Sequence, residues 1–391
     1  MKVTQVYQLL NAVTSEILGQ TDLVKEDLSN VVDLGVQIFD ATSVDHYVKS
    51  LCDHIGKVIF VNRPYGGSAP SVLMDGWEFG AVLEKVQADI PEASENESWE
   101  LEDGQSYDPN IFYKPVVSAK FYQKKVTFEV PMSFTELQVK SSFSSAEQLN
   151  SFMSMLYNAV DKSMTVKLDA LIMRTINAMT GEVIHAEYGS AALSSKSTTK
   201  AINLLYLYNN GPNAGGTALT ADDAMTDPAF IRFAVREMNI TKARLSKIST
   251  LFNVGGKARF TPNDMLKTVM LADFKESADV YLQSDTFHDE YTRLVSGDLA
   301  DLVPYWQGPG DDGFALDDVS AINITTPSGD DVAADGILCV MFDRDALGVA
   351  NMNRRTTSNY NPKAEFYNNW FKMDAGYFAD LDENYVVFFV A

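Results

Sequence analysis

Residues 144–180 read SSAEQLNSFMSMLYNAVDKSMTVKLDALIMRTINAMT, with no proline or glycine among them. Apolar side chains recur every three or four positions, at Leu149, Phe152, Met153, Leu156, Ala159, Val160 and Val166. That spacing predicts a single amphipathic α-helix. At about 1.5 Å per residue the helix would be about 50 Å long, well beyond the three or four turns of an ordinary helix. Other elements must therefore pack along much of its length.

Capping residues mark the expected ends of this helix. Ser144, with Glu147 three positions later, forms a capping box in which both side chains can accept hydrogen bonds from backbone N–H groups at the start of the helix. Thr180 and Gly181 supply the expected stop, since glycine readily adopts the conformation that ends a helix. The predicted helix therefore covers residues 145–179.

The predicted helix has its core face around Phe152, Leu156 and Val160. Beyond Val160, apolar residues occupy nearly every face, at Met164, Val166, Leu168, Leu171, Ile172 and Ile176. A helix that is apolar all round is buried on more than one side. The helix is thus expected to carry much of the stability of the subunit.

Length, composition and charge narrow the class of protein. The chain has 391 residues, of which 46% are hydrophobic, so it folds, and its length predicts roughly two or three structural bodies. The formal net charge is −22. Because such a surface repels a phosphate backbone, the net charge argues against a sequence-reading nucleic-acid binder. No run of 18 apolar residues and no export signal is found, so no membrane span is predicted.

The sequence contains no recognisable catalytic or metal-binding motif. The two cysteines, Cys52 and Cys339, lie far apart and are interpreted as buried apolar residues of a reducing compartment. No GxSxG, Walker A or GxGxxG motif occurs. The four histidines lack zinc-binding spacing and are interpreted as structural: His46, His54, His185 and His288. We therefore predict no enzyme activity, no cofactor and no metal site.

The chain before the long helix is expected to hold an arm and a projection. Residues 1–45 read as two short amphipathic helices, which need the rest of the subunit or a neighbour to cover them. Residues 46–62 predict a short helix and a strand. Residues 63–116 then have little core of their own and are predicted to project from the subunit.

The projection is acidic, and its return strand alternates. Its candidate interface residues are Glu92, Glu95 and Glu97. The return alternates apolar and polar positions as a half-exposed strand does, with its apolar set at Val117, Ala119, Tyr122, Val126, Phe128 and Val130. Isolated hairpins are marginal in water, so another molecule is expected to cover this one. A hairpin folded back on its own domain is the open alternative.

After the long helix, the pattern predicts an inserted domain and a return to the first. Residues 226–335 alternate helical and strand-like stretches and are interpreted as the inserted domain. Residues 336–341, 364–373 and 385–390 read as strands, and the last, YVVFFV, is apolar enough to be buried on both faces.

This order of elements resembles that of a known family. The sequence is most similar to that family in three stretches: SFMSMLYNAVDKSMTVKLDALIM (151–173), KARFTPNDMLKTVMLADF (257–274) and ILCVMFDRDALGVANMNRRTT (337–357). With these stretches the chain resembles the major capsid proteins of tailed bacteriophages with the Hong Kong 97 fold, and most closely the coat proteins of small short-tailed phages. The resemblance covers nearly the whole chain.

The resemblance implies an α+β fold with four parts. They would be an N-terminal arm (1–45), a peripheral domain with the spine helix and a long sheet (46–62, 117–225 and 336–391), an extended loop (63–116) and an axial domain (226–335). It also implies self-assembly, as hexamers and pentamers, into an icosahedral or prolate shell around double-stranded DNA.

The implied partners are further copies of the chain, a separate scaffold protein, a portal protein and head-decoration proteins. Packaged DNA would be met only by non-specific proximity. The expected location is the virion, after assembly in the cytoplasm of the bacterial host.

Arg354 and Arg355 stand together in an otherwise acidic chain and are predicted to meet carboxylates of a neighbouring copy. A solvated surface pair is the alternative for them. Two other functions also stay open at this point: a hydrolase with an acidic cleft, and a tail or adhesin component. A hydrolase would not explain the projection at residues 63–116. An adhesin or tail component usually contains sequence repeats, and this sequence has none.

Overall fold

The computed structural model describes residues 72–74, 83–88, 90–91, 93–135, 146–283, 300–308 and 315–391, and of residues 146–157 the backbone only. The predicted arm (1–45), the segment 46–62 and the capping residue Ser144 lie outside the described residues. So do the side chains of Glu147, Phe152 and Leu156.

The helices are given first, in chain order. They are α1 (Ala146–Tyr188), α2 (Leu204–Asn210), α3 (Ala221–Ala224), α4 (Pro228–Leu245), α5 (Ala272–Gln283) and α6 (Leu316–Val319). Short 3₁₀ turns lie at Glu97–Trp99 and Leu193–Ser195.

The strands of the first half of the chain are β1 (Leu73–Met74), β2 (Leu83–Ala88), β3 (Val117–Tyr122), β4 (Lys125–Thr135), β5 (Ala201–Asn203) and β6 (Leu266–Leu271). Those of the second half are β7 (Asp301–Val303), β8 (Ile322–Thr325), β9 (Asp331–Ala334), β10 (Ile337–Asp343), β11 (Leu347–Asn361), β12 (Phe366–Ala379) and β13 (Tyr385–Phe389). This mixture of helices and sheets confirms the predicted combination of α and β elements.

Helix α1 exists where the periodicity places it, but its predicted end is wrong. The helix continues through Thr180 and Gly181 and ends at Tyr188, nine residues beyond the predicted position 179. Glycine at position 181 has a different role: a Cβ there would lie 3.0 Å from Cδ1 of Ile324 in β8, so the lack of a side chain lets the β8–β9 hairpin approach the helix. The true stop is Gly189, whose φ of +55° and N–H bond to the carbonyl of His185 close the last turn.

The burial of α1 changes along its length. Val160, Met164 and Leu168 form one buried stripe. From Leu171 to Ile184 nearly every side chain is covered, because strands of both large sheets and the β8–β9 hairpin contact the helix. The predicted all-round burial therefore begins later than expected, and Val166, counted in the apolar set, is 65% exposed.

The first large sheet holds the core of the molecule. Its strand order is β5-β13-β10-β6-β7. Strand β10 lies antiparallel between β13 and β6, and every residue of β10 and β13 is buried. The predicted burial of YVVFFV on both faces is thus confirmed.

The second large sheet is long and narrow, with the order β1-β11-β12-β4. Strands β11 and β12 form an antiparallel ribbon, and β4 continues it at the edge. Val126, Phe128 and Val130 of β4 turn toward the core, as their alternation predicts, while the residues between them are exposed. One face of this sheet lies on α1.

Gly336→Ala is expected to destabilise the subunit strongly. Gly336 has a φ of +71°, and an added Cβ would lie 1.8 Å from the carbonyl oxygen of Val390, where the last strand closes on the sheet. We expect the free energy of unfolding to fall by about 3 kcal/mol or more.

The matched control is Gly329→Ala. Gly329 has a φ of +97° but no atom within 4 Å of the added Cβ, so only backbone strain of about 1 kcal/mol applies. Chemical denaturation of both variants measures the difference, and equal losses would contradict the importance of the close approach at Gly336.

Candidate assembly interface

The loop between β2 and β3 exposes a set of large apolar side chains. Trp99 is 97% exposed, Phe112 84% and Tyr113 81%, and the same loop also exposes Leu101, Tyr107, Ile111 and Val116. Monomeric proteins seldom leave such a concentration of aromatic surface in water, and aromatic residues are enriched in protein interfaces. The loop therefore has the composition of a contact surface.

Within the described part of the chain, the hydrogen bonds of this loop, residues 93–116, are all internal to its own short turns. The backbone N–H of Ser98 donates to Asn96 Oδ1 at 2.9 Å, and that of Asn110 donates to Asp108 Oδ1 at 2.9 Å. The N–H of Glu102 donates to the hydroxyl of Tyr107 at 3.2 Å. Among the described residues, no hydrogen bond or ion pair joins this loop to the rest of the subunit.

The β2–β3 hairpin at the base of the loop has inverted polarity. Register pairs Val86 with Ala119 and Lys85 with Lys120. The exposed face carries Val86, Val117, Ala119 and Phe121, whereas Lys85, Gln87, Lys120 and Tyr122 point toward the subunit. The sequence pattern grouped Val117 and Ala119 with the covered apolar set, and for these two residues it is wrong.

A cluster of ion pairs explains why the polar face points inward. Lys85 Nζ lies 2.8 Å from Asp380 Oδ2 and 2.7 Å from Glu383 Oε1. Lys120 Nζ lies 2.6 Å from both Asp380 Oδ1 and Asp382 Oδ2. All three carboxylates belong to the β12–β13 connection, and the Asp380 side chain is fully buried. We call Lys85, Lys120, Asp380, Asp382 and Glu383 the hairpin anchor.

Gln87 and Arg259 extend the hairpin anchor. Gln87 Nε2 donates to Glu383 Oε1, and its Oε1 accepts from Arg259 Nη2 at 2.6 Å. Arg259 precedes β6, so the anchor joins three separate parts of the chain.

The electrostatics of the hairpin anchor are mutually supporting. Burial by itself would raise the pKa of Asp380, but hydrogen bonds from Lys120 and Lys85 outweigh it and hold this pKa below its usual value. Burial would lower the pKa of Lys120, and its bonds to Asp380 and Asp382 raise it instead. Both groups are therefore charged at neutral pH.

The sign of the pH dependence follows from these two shifts. Because the pKa of Asp380 is lower in the folded chain, its charge stabilises the fold at pH values above its pKa in the unfolded chain, about 4. This stabilisation is lost as the pH falls through the pKa of Asp380 in the folded chain. Because the pKa of Lys120 is higher in the folded chain, its charge stabilises the fold below about pH 10, its pKa in the unfolded chain. This stabilisation is lost as the pH rises through the pKa of Lys120 in the folded chain. The pair of Lys120 and Asp380 is thus fully charged across the neutral range.

Asp380→Asn is expected to loosen the hairpin. It removes the buried charge that both lysines share, and breaking a buried pair in this way costs about 3 kcal/mol. Asp374→Asn is the control, because its partner Arg355 is half exposed and such pairs contribute about 1 kcal/mol or less. Thermal unfolding and limited proteolysis near β2 and β3 measure both. Equal effects would contradict the anchor.

A cleft of about 640 Å³ opens beside the hairpin root. Its walls are the end of β3, helix α1, the turn after β8 and the end of β12. The lining is mainly apolar, with Arg174 and Lys124 among its polar groups. A cleft of this kind can accept bulky side chains of another chain.

The structure places the three predicted acidic residues as follows. Glu95 is exposed in the loop, and Glu97 opens the 3₁₀ turn at Glu97–Trp99. Glu92 and the side chain of Glu97 lie outside the described residues. A role for the three in assembly stays a prediction.

Arg354 and Arg355 are both engaged within the subunit. Arg354 Nη1 lies 3.9 Å from Asp161 Oδ1 of α1. Arg355 Nη1 donates to Asp374 Oδ2 on the neighbouring strand β12, and this hydrogen bond raises the pKa of Arg355. Reversing their charge would therefore also disturb the subunit, and their predicted contact with a neighbouring copy stays a prediction.

The described residues offer no centre for catalysis by metal. They contain no group of three His, Cys, Asp or Glu side chains placed to bind an ion. His185 lies on the surface 3.4 Å from Asp330, and Cys339 is buried. None of the helices in these ranges combines the length and apolar character needed to cross a membrane.

Comparison with known proteins gives one family. The model of the family described as Phi29-like phage major capsid protein matches residues 10–389. No curated protein matches the sequence.

Solved structures resemble the fold at low identity. A chain in the capsid structure of Staphylococcus phage Andhra has a TM-score of 0.50 and 10% identity, with 85% of this chain and 86% of that chain covered. A chain in the structure of the head fiber and inner core protein gp22 of native bacteriophage P68 has a TM-score of 0.50 and 9% identity, with the same coverage of both chains. At these identities the likeness concerns the fold alone.

Proposed function

The chain belongs to the Phi29-like phage major capsid protein family, and from this premise we propose that its copies build a closed shell through the loop at residues 93–116. A structural role in the phage capsid follows from the family. The proposal concerns how the copies join, and it includes the absence of any catalytic activity.

One observation carries the proposal: the loop exposes Trp99, Phe112 and Tyr113 and, within the described residues, makes no hydrogen bond to the rest of its subunit. A solitary protein gains nothing from such a surface, which favours aggregation. A protein present in many copies gains an anchor residue in every contact, since buried Trp and Tyr side chains dominate binding energy.

The fold is consistent with the four-part organisation of the Hong Kong 97 type. Helix α1 would be the spine helix, and β4, β11 and β12 the long sheet beside it. The loop between β2 and β3 would be the extended loop, and residues 226–335 the axial domain. Hexamers and pentamers of such a subunit would form an icosahedral or prolate shell around the double-stranded DNA genome.

Net charge suggests how assembly is controlled. Copies that each carry −22 repel one another, and salt screens this repulsion within about 10 Å at 0.1 M. A separate scaffold protein, a portal protein and head-decoration proteins are the proposed partners in the host cytoplasm and in the virion. Because the surface is acidic, packaged DNA would lie near it without specific contacts.

The test is expression of the full chain alone and with its scaffold protein, followed by sedimentation and negative-stain microscopy. Closed shells or rings of uniform size are expected. A small compact oligomer in both cases would favour the hydrolase, and a fibre or rod would favour the adhesin. Either result would overturn the proposal.

A further inference from the structure

The segment 241–260 reverses the charge of the chain locally. It carries five cationic residues and no acidic one, in a protein with a net charge of −22. It includes the end of α4 and the turn that follows. We propose that this basic segment is the docking surface for the acidic loop, residues 93–116, of a second copy, an inference that rests on the proposed function.

Two exposed cations form the charged part of the surface. Arg244 and Lys247 are exposed, and no carboxylate of the described residues forms an ion pair with either. Cations near the carboxyl end of a helix are favourable by themselves. That effect accounts for Arg244 in the last turn of α4, but it does not account for the apolar side chains beside it.

Three apolar side chains complete the surface. Ile248, Leu251 and Phe260 are each about half exposed. Ser249 and Arg259 exchange two backbone hydrogen bonds, of 2.9 and 3.0 Å, in an antiparallel bridge. This register sets Ile248 opposite Phe260, so the two side chains share one side of the bridge.

The acidic loop matches this surface in both charge and apolar content. Residues 93–116 carry six acidic residues and a single basic one, Lys114, and the acidic residues are interleaved with Trp99, Phe112 and Tyr113. The loop of the same copy covers neither these aromatic rings nor Ile248, Leu251 and Phe260, since all of them are exposed in the single chain. A second copy supplies the missing half of each surface.

A polyanion such as DNA fits the surface less well. Phosphates would pair with Arg244 and Lys247 but would leave Ile248, Leu251 and Phe260 in water. The loop brings carboxylates and aromatic rings together. Its charges would guide the encounter, and its rings would hold the contact.

Charge exchange between the two surfaces tests the proposal on the full chain. Arg244→Glu with Lys247→Glu, and separately Glu100→Lys with Glu102→Lys, should each reduce the yield of sedimenting particles about tenfold or more. The four changes together should restore most of the yield, because opposite charges face each other again. Circular dichroism should show all variants folded.

A matched control separates the contact from net charge. Arg236→Glu with Lys167→Glu changes the charge by the same amount at two exposed cations outside the surface. This pair should neither reduce the yield strongly nor rescue the loop variant. The neutral pair Arg244→Gln with Lys247→Gln should give an intermediate loss and serves if the reversed pair does not fold.

The outcomes are distinct. Normal yield from Arg244→Glu with Lys247→Glu, no rescue by the four changes, or equal rescue by the control pair would each overturn the docking surface. So would normal particles that have lost only their DNA content, which would assign the surface to nucleic acid. Failure of the unaltered chain to form shells would instead count against the proposed function.

Discussion

Ile176→Asp is expected to prevent the subunit from folding. Ile176 is fully buried in the part of α1 that is covered on all sides, and its carbonyl accepts a hydrogen bond from the Tyr385 hydroxyl at 3.3 Å. An unpaired carboxylate at this depth costs several kcal/mol, which is comparable with the whole stability of a domain, about 5–15 kcal/mol. Soluble yield and circular dichroism measure the result.

Val166→Asp is the matched control on the same helix. Val166 is 65% exposed, so the same new charge stays hydrated and changes the free energy of unfolding by about 0.5 kcal/mol or less. A folded Ile176→Asp subunit, or two variants that unfold alike, would contradict the role assigned to the buried half of α1.

Trp99→Ala with Phe112→Ala is expected to abolish assembly and leave the subunit folded. Both side chains lie almost wholly in water, so their removal costs the isolated subunit about 0.5 kcal/mol or less. Each truncation at the centre of an interface costs about 2 kcal/mol or more, and a shell repeats that loss at every contact. Particle yield and thermal unfolding of the same preparations measure the two effects.

Val280→Ala on α5 serves as the control for this pair. The Val280 side chain is exposed to a degree similar to that of the apolar side chains in the loop, but it lies on a helix outside the loop. The Val280→Ala variant should therefore give a normal particle yield. Normal particles from the Trp99 and Phe112 variant would remove the basis for the proposed contact, and so would a loss of stability in the free subunit.

The existence of α1 was predictable from sequence, but its end was not. Apolar spacing is a local property and survives in any fold. The role of Gly181 is not local: it depends on the approach of Ile324, which lies far along the chain. Packing against that hairpin stabilises a glycine inside the helix and overrides its usual meaning as a stop.

The orientation of the β2–β3 hairpin shows a second limit. Alternation tells which residues share a face but does not tell which face the subunit covers. The answer depends on Lys85 and its partners Asp380 and Glu383, which are 295 and 298 positions away. The acidic run DLDE at 380–383 is visible in the sequence, but nothing local joins it to two lysines of a distant hairpin.

The sequence pattern does not predict strand β11, for a related reason. From Asn351 onward the strand is rich in polar residues and lacks the apolar runs that identify β10 and β13. Pairing with β12 along most of its length makes it a strand, and with it Arg354 and Arg355 acquire partners within the subunit.

Hydrogen exchange, read by mass spectrometry on dissociated subunits and on assembled particles, tests the central claim most directly. In free subunits residues 93–116 should exchange fast, and residues 171–184 of α1 slowly, because only the latter are buried within one chain. On assembly the loop should become protected, while α1 stays as it was. A loop that exchanges equally fast in particles and in free subunits would contradict the claim that copies of this chain join through it.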